Sequence, residues 1–403
     1  MHKQGFSSLK DLYHFRGFHA HDLFLTKDAI RVSLRRTGKT GVCPKCGKKR
    51  RKKEEEYERE VRDLDVAGRK VTLYFPQYKI HCTHCGYRGM EELDFVDEYS
   101  RCTVRFEEYV AALCERMSLK GAAGIAGIHW EAAKRIDKKY MRKRLEGLEL
   151  TSPTRIGVDE VAYARRHKYL TVVRDVDASR VIWVGEGRRK ETLDEFFRNF
   201  LGSAKTARIR LAVIDMWDPY IASVRESCPV AEIVFDKFHI AKKANEALDC
   251  VRKQEFADAC RDERRRMKHK RFLILRRNDA LDDEQREDVD CLMKRNKTLY
   301  KSYLLKEQLS SILDEPRLDV AVGRLGRWFR NVKKAGIPQF EKLVKTFRNY
   351  LYGILNYFKH RVTNAASEAF NNKIGLLKRI AYGFHDLEYF KLKIICCCWK
   401  NSS

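Results

Sequence analysis

Short apolar segments alternate with amphipathic ones in the middle of the chain, and this pattern constrains the fold more than any other feature of the sequence. The apolar segments are rich in β-branched residues and predict buried strands, whereas the segments between them have helical spacing. The predicted strands and helices follow one another in a mixed order that is typical of an α/β fold. We predict helices over 190–201 and 218–227, and strands over 155–161, 168–175, 180–186, 209–215 and 231–235.

Two of the short apolar runs end in an aspartate: Arg155-Ile-Gly-Val-Asp ends in Asp159, and Leu211-Ala-Val-Ile-Asp ends in Asp215. A buried carboxylate is costly to keep unless it is paired or holds a metal ion. A third acid, Glu368, lies in a later segment that is predicted to be helical. Carboxylates of this kind can bind two Mg²⁺ or Mn²⁺ ions ~3.5–4 Å apart, which is the arrangement of a two-metal phosphoryl-transfer site. The adjacent Glu160 points to the opposite face of its strand and is not expected to bind metal.

The net charge of the chain indicates its class of partner. Lys and Arg outnumber Asp and Glu by 83 to 56, which gives a formal charge of +27 and an isoelectric point near 9.6. This excess favours nucleic acid over an anionic membrane surface, because no apolar run approaches the ~18 residues of a spanning helix. The N-terminus lacks the hydrophobic segment of a signal peptide. We therefore expect an intracellular, reducing location, where the 13 cysteines are thiols or metal ligands rather than disulfides.

Two matched cysteine pairs predict a structural zinc site. Cys43 and Cys46 form one CxxC motif, Cys82 and Cys85 form the other, and a glycine follows each pair. Four thiolates at tetrahedral corners suit Zn²⁺, and a site closed by four protein ligands is structural. The segment between the pairs can hold the strands of a zinc-ribbon-like hairpin. Replacement of one thiolate by a neighbouring histidine, or a chance collection of thiols, are the alternatives.

Helical periodicity begins at residue 104 and continues to 147. A helix predicted over 106–117 is followed by a short helix over 119–126 that ends in a glycine, and a basic helix starts after it. This layout is typical of a helix-turn-helix, whose second helix enters the major groove of DNA. A solvated basic helix without a partner is the alternative. The cations predicted to contact phosphates or base edges are Lys134, Arg135, Lys138 and Lys139.

These patterns divide the chain into five predicted segments. Residues 1–95 form a β-rich zinc-binding module, and residues 96–150 form a helix-turn-helix domain. Residues 151–240 have the α/β pattern, and residues 356–403 contain the third acid. Residues 241–355, between those two segments, are strongly charged and almost entirely helix-forming, which predicts an all-helical segment.

Several motifs carry a resemblance to a known family. Besides the cysteine pairs and the helical segment after them, they are Gly157-Val-Asp-Glu, His167-Lys-Tyr-Leu-Thr-Val-Val-Arg-Asp, Ile214-Asp-Met-Trp-Asp-Pro-Tyr, Val234-Phe-Asp-Lys-Phe-His, Thr363-Asn-Ala-Ala-Ser-Glu, Asn371-Asn-Lys-Ile and Lys378-Arg-Ile-Ala-Tyr-Gly-Phe. Together they cover nearly the whole chain, and in combination the chain resembles the DDE transposases of bacterial insertion sequences, specifically the ISL-three family. Two positions depart from the family pattern: Ala369 stands where Gly commonly follows the catalytic Glu, and Gly375 where a basic residue often follows Asn-Lys-Ile. Neither departure removes a carboxylate.

The resemblance implies an RNase H-like catalytic core whose two parts, residues 151–240 and 356–403, are separated by a helical insertion domain at residues 241–355. It implies that Asp159, Asp215 and Glu368 are the catalytic triad and bind Mg²⁺ or Mn²⁺ in a two-metal site. The expected activity is cleavage of DNA at the terminal inverted repeats of an insertion sequence and strand transfer to target DNA. The expected setting is the bacterial cytoplasm, in association with the nucleoid, and the expected active form is a homodimer or a larger assembly on DNA.

Other polar side chains near the predicted triad are candidate contacts. Asp236 and His239 form an Asp-x-x-His motif at a strand-to-helix turn. They could contact a phosphate or a metal ion, or Asp236 could simply cap the helix that follows. Asn372 lies four residues after the predicted catalytic Glu, on the same helix face, where it can orient that carboxylate or a phosphate. Lys378 and Arg379 are candidate contacts with the DNA backbone.

Two other classes of function are compatible with the sequence. The first is a non-catalytic, sequence-specific DNA-binding regulator derived from a transposase. The second is an RNase H-like nuclease that recognises junctions or RNA–DNA hybrids by their structure. The complete set of three acids disfavours the regulator, and the N-terminal DNA-recognition modules disfavour the structure-specific nuclease.

Overall fold

The protein is a mixed α/β chain that forms two compact units, residues 1–147 and 148–403. The computed structural model describes residues 13–50, 53–146, 152–164, 168–362, 365–381 and 386–399. For residues 365–368 it describes the backbone only. The mixed α/β class agrees with the sequence prediction. The finer division into five segments stays a prediction.

A β-sheet dominates the first part of the first unit. Its strands are β1 (Phe18–Leu25), β2 (Ala29–Arg36), β5 (Lys53–Val66), β6 (Arg69–His81) and β7 (Arg88–Met90), and a separate ribbon joins β3 (Gly41–Val42) to β4 (Lys49–Arg50). The strand order is β1-β2-β6-β5, and β7 pairs with the end of β6, at Lys79–His81. Alternation along the strands buries one face, and an aromatic core forms there around Phe18, Phe75 and Phe95.

Three helices follow the sheet: α1 (Val104–Arg116), α2 (Leu119–Ala126) and α3 (Trp130–Glu146). The hydroxyl of Thr103 accepts the N–H of Phe106 and begins α1, and Ser118 caps α2 in the same way. Gly127, with φ of 63°, ends α2 in the left-handed conformation that glycine adopts without strain. The predicted short helix, glycine turn and basic helix are therefore all present. The three helices pack around their own apolar cluster.

A buried carboxylate joins the sheet of the first unit to these helices. Asp63 of β5 is fully buried and accepts hydrogen bonds from the hydroxyl of Thr103 at 2.7 Å and from Nε of Arg105, also at 2.7 Å. A second guanidinium nitrogen of Arg105 binds the other carboxylate oxygen. Such a charge-assisted bidentate pair is among the stronger polar contacts in proteins. Asp63 therefore fixes the start of α1 on the sheet.

We expect Asp63→Ala to lower the free energy of unfolding of the first unit by about 2–3 kcal/mol, because it leaves the guanidinium and the hydroxyl without their acceptor. Urea denaturation followed by circular dichroism, with zinc kept saturating, measures this. Asp65→Ala is the matched control, since Asp65 is 39% exposed and pairs with Arg62, and ion pairs that reach solvent contribute ~0–1 kcal/mol. Equal effects of the two substitutions would contradict the structural role of Asp63.

The second unit is built on a five-stranded sheet. Its strands are β8 (Arg155–Ala164), β9 (Lys168–Asp175), β10 (Arg180–Glu186), β11 (Leu211–Ile214) and β12 (Glu232–Phe235), in the order β10-β9-β8-β11-β12. The pairs β8–β9 and β9–β10 are antiparallel, whereas β8, β11 and β12 are parallel. The five strands coincide closely with the predicted ones, and the sheet is mixed.

Helices cover both faces of this sheet. Between the strands lie α4 (Lys190–Glu195), which continues as a π-helical turn (Phe196–Leu201), α5 (Ser203–Thr206) and α6 (Asp218–Ser227). Two helices near the C-terminus, α15 (Ala365–Ile380) and α16 (Leu387–Cys398), pack on the opposite face around Leu170, Val184 and Phe390. The end of α16 buries Cys398 and half-buries the two cysteines before it, as expected of small apolar residues.

A long helical segment connects β12 to α15. It consists of α7 (Lys237–Asp258), α8 (Arg261–Met267), α9 (Arg271–Leu275), α10 (Asp283–Arg295), α11 (Lys297–Asp314), α12 (Leu318–Ala335), α13 (Pro338–Asn349) and α14 (Leu351–His360). Its apolar core, which includes Trp328 and Phe340, is continuous with that of the sheet. The amide of Asn356 donates to the carbonyl of Ile233 at 2.9 Å and so returns α14 to the edge strand β12. Among the described helices, none has the length and apolar character needed to cross a membrane.

Candidate active site

The register of the parallel strands brings the predicted acids together in the second unit. Gly157 of β8 pairs with Val213 of β11. Asp159 and Asp215 are each two residues beyond this pair and therefore lie level with each other. Asp236 follows β12 at the same edge of the sheet. β8 itself continues beyond Asp159 along β9, although its parallel pairing with β11 ends before that residue. The two aspartates predicted at strand ends thus meet at the carboxyl edge of the sheet.

A histidine completes this cluster. Ligand atoms of Asp159, Asp215 and His239 all lie within 4.8 Å of one another, and His239 Nε2 is 2.9 Å from Asp215 Oδ1. Asp236 accepts the N–H of Phe238 at 3.2 Å and so caps α7, which places His239 in the first turn of that helix. The structure therefore separates the two members of the Asp-x-x-His motif. Asp236 is a helix cap, and His239 contacts an acid of the predicted triad.

The electrostatics of the cluster favour a bound cation. Burial raises the pKa of the Asp215 carboxyl, and the contact with His239 offsets this only in part, because Asp159 and Glu160 add repulsion. Burial alone would lower the pKa of His239, but the contact with Asp215 and the nearby acids outweigh it, and the net shift is upward. The cluster therefore carries excess negative charge in a poorly solvated place, which a divalent cation would neutralise.

A buried arginine lies behind the acids. Arg174 of β9 is opposite Gly157, and a Cβ at Gly157 would come within 2.5 Å of its Nε, so the close approach requires glycine. The guanidinium is only 2% exposed; burial lowers the pKa of Arg174 to about 10, and Asp159 and Asp236 counteract that shift. Its Nε and Nη2 have no hydrogen-bond partner within the described residues. Arg174 therefore compensates part of the negative charge electrostatically.

The residues present fit a hard divalent cation. Asp215 Oδ1 is buried and, within the described part of the chain, accepts no hydrogen bond of good geometry even though the imidazole is close. A buried oxygen without a donor needs another partner, and carboxylate oxygens are the ligands that Mg²⁺ and Mn²⁺ prefer. Asp159 and Asp215 would be the ligands of such an ion. Glu160 pairs with Arg188 at 3.3 Å and, within the described residues, is outside the ligand cluster. That it does not bind metal stays a prediction.

Helix α15 contributes an amide that the sequence reasoning missed. Asn371 Nδ2 donates to Asp159 Oδ2 at 2.7 Å, whereas the predicted Asn372 is exposed. The Asn-Asn pair was a usable signal, but the rotation of the helix decides which member faces the acids. Glu368 is part of α15, and the structure describes its backbone but not its side chain. Its role, like that of Asn372, stays a prediction.

The two cations at the end of α15 are placed differently. Lys378 Nζ donates to the carbonyl of Ala162 in β8, and this contact holds the helix on the sheet. Arg379 is exposed. Arg379 is therefore free to approach a DNA backbone, while Lys378 has a partner within the unit. Contact of either residue with DNA remains a prediction.

The four predicted zinc ligands converge in the first unit. The Sγ atoms of Cys43 and Cys85 are 3.6 Å apart, as are those of Cys46 and Cys82, and ligand atoms of all four lie within 4.8 Å of one another. A tetrahedron of ~2.3 Å Zn–S bonds has S···S edges of about 3.8 Å. The geometry therefore fits one Zn²⁺ closed by four thiolates.

Local backbone turns present these thiolates. After each pair the chain bends back, so that the N–H of Gly47 donates to the carbonyl of Cys43 and the N–H of Gly86 to that of Cys82, both at 2.8 Å. The two glycines have φ of 67° and 74°, which explains why glycine ends each motif. Arg50 Nε lies 3.1 Å from Cys82 Sγ. Although burial opposes it, hydrogen bonds from the backbone and from Arg50 lower the pKa of Cys82 and favour its thiolate. A backbone hydrogen bond from Tyr87 opposes the shift at Cys85, but burial and the neighbouring thiols raise the pKa of that residue. The neighbouring His81 and His84 are exposed and outside the ligand cluster.

The predicted DNA contacts on α3 have different surroundings. Arg135 is exposed, and Lys134 and Lys138 are partly exposed. Lys139 forms ion pairs with Asp97 and Glu107, and despite the opposing effect of burial these contacts raise its pKa. Lys139 therefore joins α3 to the rest of the unit, and much of its charge is already compensated. Contact of these four residues with DNA remains a prediction.

Comparison with known proteins agrees with the combination of a four-cysteine site, a helix-turn-helix and an α/β domain with clustered acids. Residues 156–394 match the transposase model of the ISL3 (ISL-three) family. Residues 91–141 match the helix-turn-helix domain of transposase family ISL3, and residues 39–85 match the zinc-finger of transposase IS204/IS1001/IS1096/IS1165. These three modules define a DNA-binding transposase.

Individual relatives agree with the family models. The chain is 32% identical to the transposase for insertion sequence element IS1001 of Bordetella parapertussis over 368 residues, which cover 91% of this chain and 90% of the relative. It is 28% identical to the transposase for insertion sequence element IS1557 of Mycobacterium tuberculosis over 388 residues, 89% and 86% of the two chains. The chain belongs to the ISL3 family of transposases.

Proposed function

We propose that this transposase binds the inverted-repeat ends of an insertion sequence and catalyses DNA cleavage and strand transfer at a two-metal site formed by Asp159, Asp215 and Glu368. The observation that carries the proposal is the meeting of Asp159 and Asp215 with His239 at the sheet edge, where their ligand atoms lie within 4.8 Å of one another. Mg²⁺ or Mn²⁺ bound there would activate the attacking oxygen and stabilise charge on the scissile phosphate.

The placement of α15 supports Glu368 as the third ligand. Asn371 faces Asp159, and residues three apart on a helix share a face. Position 368, one turn before Asn371 in α15, therefore belongs to the helix face that is turned to the acids. Asn371 donates to the Asp159 carboxylate, and His239 Nε2 lies 2.9 Å from that of Asp215. These two residues act as positioning groups that keep the carboxylates aimed at one place.

The architecture of the second unit supports an RNase H-like core with a helical insertion. Its mixed sheet carries the two aspartates on adjacent central strands, β8 and β11. The helical segment from α7 to α14 lies in sequence between Asp215 and position 368. That is the interruption which the family resemblance implies. Pairing of two transposon ends would in addition require a dimer or larger assembly.

The test is cleavage of end-containing DNA by the purified protein. Inverted repeats that bound the gene supply the substrate, and a scrambled end is the control. Cleavage that depends on both Mg²⁺ or Mn²⁺ and the repeat supports the proposal. Repeat-specific binding without cleavage would instead indicate a regulator, and cleavage of a junction that lacks any repeat would indicate a structure-specific nuclease.

Recognition of the ends by α3 gives a separate prediction. Arg135→Ala is expected to weaken binding of end DNA and to reduce the slope of log affinity against log salt concentration by ~1, because one phosphate contact is lost. Arg116→Ala is the matched control, since Arg116 is exposed at the end of α1, outside the short-helix and basic-helix pair. Filter binding over a salt series measures both variants. An unchanged slope for Arg135→Ala would show that this side chain does not contact phosphate.

A further inference from the structure

A cavity of about 690 Å³ opens beside the clustered acids. Asp159 and Asp215 form part of its wall, the first turns of α7 form another part, and the helical segment closes it with residues that include Ser310 and Leu313. A volume of this size lies within the ~300–1,000 Å³ range of small-ligand sites. The cavity is larger than metal ions alone require, so the site can hold a substantial part of the substrate.

One face of α7 supplies three different functional groups to this cavity. Phe238, Lys242 and Asn245 all line it, and their spacing of four and then three residues places them on the same side of the helix. Because Asp236 caps the helix directly after β12, this face starts at the edge of the sheet where the acids lie. The three groups are therefore held by a rigid element and not by a loop.

The aromatic ring is exposed although it is large. Phe238 is 58% exposed and lies edge-to-face on His239, with ring centroids 5.4 Å apart and an interplanar angle of 84°. His239 in turn contacts Asp215. This chain of contacts ties the ring to the acid cluster. Aromatic side chains on which unpaired bases stack are a common feature of sites that bind single-stranded nucleic acid.

The polar groups of the cavity differ in whether they already have partners. Arg277 Nη1 pairs with Asp314 at 2.7 Å, Lys237 binds the same carboxylate, and Lys306 Nζ donates to a backbone carbonyl at 2.5 Å. Lys242, in contrast, is exposed and forms no ion pair within the described part of the chain. Asn245 Oδ1 is buried and, among the described residues, has no hydrogen-bond donor. Within the described residues, Lys242 and Asn245 Oδ1 are thus left for a ligand.

We propose that the cavity binds an unpaired nucleotide of the DNA substrate next to the bond that is cut. The base stacks on Phe238, an N–H on the base edge donates to Asn245 Oδ1, and the phosphate pairs with Lys242. The three groups match the three parts of a nucleotide: an aromatic face, a polar edge and an anion. This inference rests on the proposed function for DNA as the substrate, and it adds a nucleotide subsite on α7 to the acid cluster.

The experiment compares two DNA probes without requiring cleavage. One is a short duplex with an unpaired 3′ extension that carries 2-aminopurine at its first unpaired position, and the other is the same duplex with a blunt end. Binding is measured with Ca²⁺ in place of Mg²⁺ for the wild type, Phe238→Ala and Phe238→Tyr. Phe272→Ala is the matched control, because Phe272 is 71% exposed on α9 and does not line the cavity.

The wild type is expected to bind the extended probe on the order of 10-fold more tightly than the blunt one, the lower part of the range for stacking of one base, and to quench the 2-aminopurine. Phe238→Ala is expected to lose both effects, whereas Phe238→Tyr and Phe272→Ala retain them. Preference and quenching that persist in Phe238→Ala, or that disappear equally in Phe272→Ala, overturn the proposal. Because the readout is binding, failure of metal-dependent cleavage would refute the proposed function without deciding this result.

Discussion

Asp159→Ala and Asp215→Ala are each expected to lower the rate of metal-dependent cleavage at the transposon end by at least ~10³-fold, equivalent to about 4 kcal/mol of transition-state stabilisation. Each change removes a carboxylate that the structure places in one ligand cluster. Glu368→Ala is expected to have the same effect, since α15 brings position 368 to the helix face that carries Asn371. Binding of end DNA should survive in all three variants, because the predicted DNA-recognition modules lie in the first unit.

Cleavage and strand transfer on labelled end DNA, with Mg²⁺ or Mn²⁺, measure these effects. Asp177→Asn is the matched control, because this exposed carboxylate of the same unit pairs with Arg155 and lies outside both the ligand cluster and the cavity beside it, and it is expected to retain activity. Strand transfer by any one of the three alanine variants would remove that residue from the triad.

A stability measurement separates loss of the site from loss of the fold. Burial raises the pKa of Asp215 in the folded protein, so the folded state binds a proton more readily than the unfolded state. At neutral pH the ionised carboxylate therefore opposes folding, and this cost disappears as the pH falls and the group is protonated. Asp215→Asn should consequently leave the melting temperature without added Mg²⁺ unchanged or higher. A lower melting temperature would attribute lost activity to misfolding.

The strands and acids of the second unit were predictable because each rests on local chemistry. β9 and β10 coincide with apolar runs rich in β-branched residues, and their observed bounds are the predicted ones. Parallel pairing of β8 with β11 then brings Asp159 and Asp215 together, since each follows a buried run of similar length. The four zinc ligands were predictable for the same reason, because spacing and glycine turns are local properties.

The remaining features depend on tertiary contacts that no local pattern encodes. Asn371 rather than Asn372 contacts Asp159 because the packing of α15 on β8 fixes the rotation of the helix. Lys139 resembles its basic neighbours in sequence, yet two carboxylates distant along the chain bind it. The contact of His239 with Asp215 likewise requires β12 to lie beside β11. Sequence reasoning placed His239 near the site without deciding its role.

The four-cysteine site gives the second prediction with a large expected effect: Cys43→Ser or Cys82→Ser should abolish stoichiometric zinc binding and weaken binding of end DNA. Zinc-finger peptides gain roughly 10–16 kcal/mol from Zn²⁺ at neutral pH, and loss of one thiolate opens the closed site. Cys43 and Cys82 are both fully buried. Replacement by serine therefore also places a hydroxyl group where the cysteine turns pack against Tyr78 and Ile80.

Zinc content, measured by emission spectrometry, and limited proteolysis check this prediction. Cleavage sites are expected to open at the two turns, near residues 41–50 and 82–90, which the metal joins. The sheet of the first unit has a separate aromatic core around Phe75, and the second unit has its own core, so both should remain folded. Cys250→Ser is the matched control, because Cys250 is an exposed thiol on α7 far in sequence from the cluster. Full zinc content in Cys82→Ser would show that the ion is held by another set of ligands. Loss of zinc with normal DNA binding would show that the two cysteine turns do not shape the DNA-binding surface.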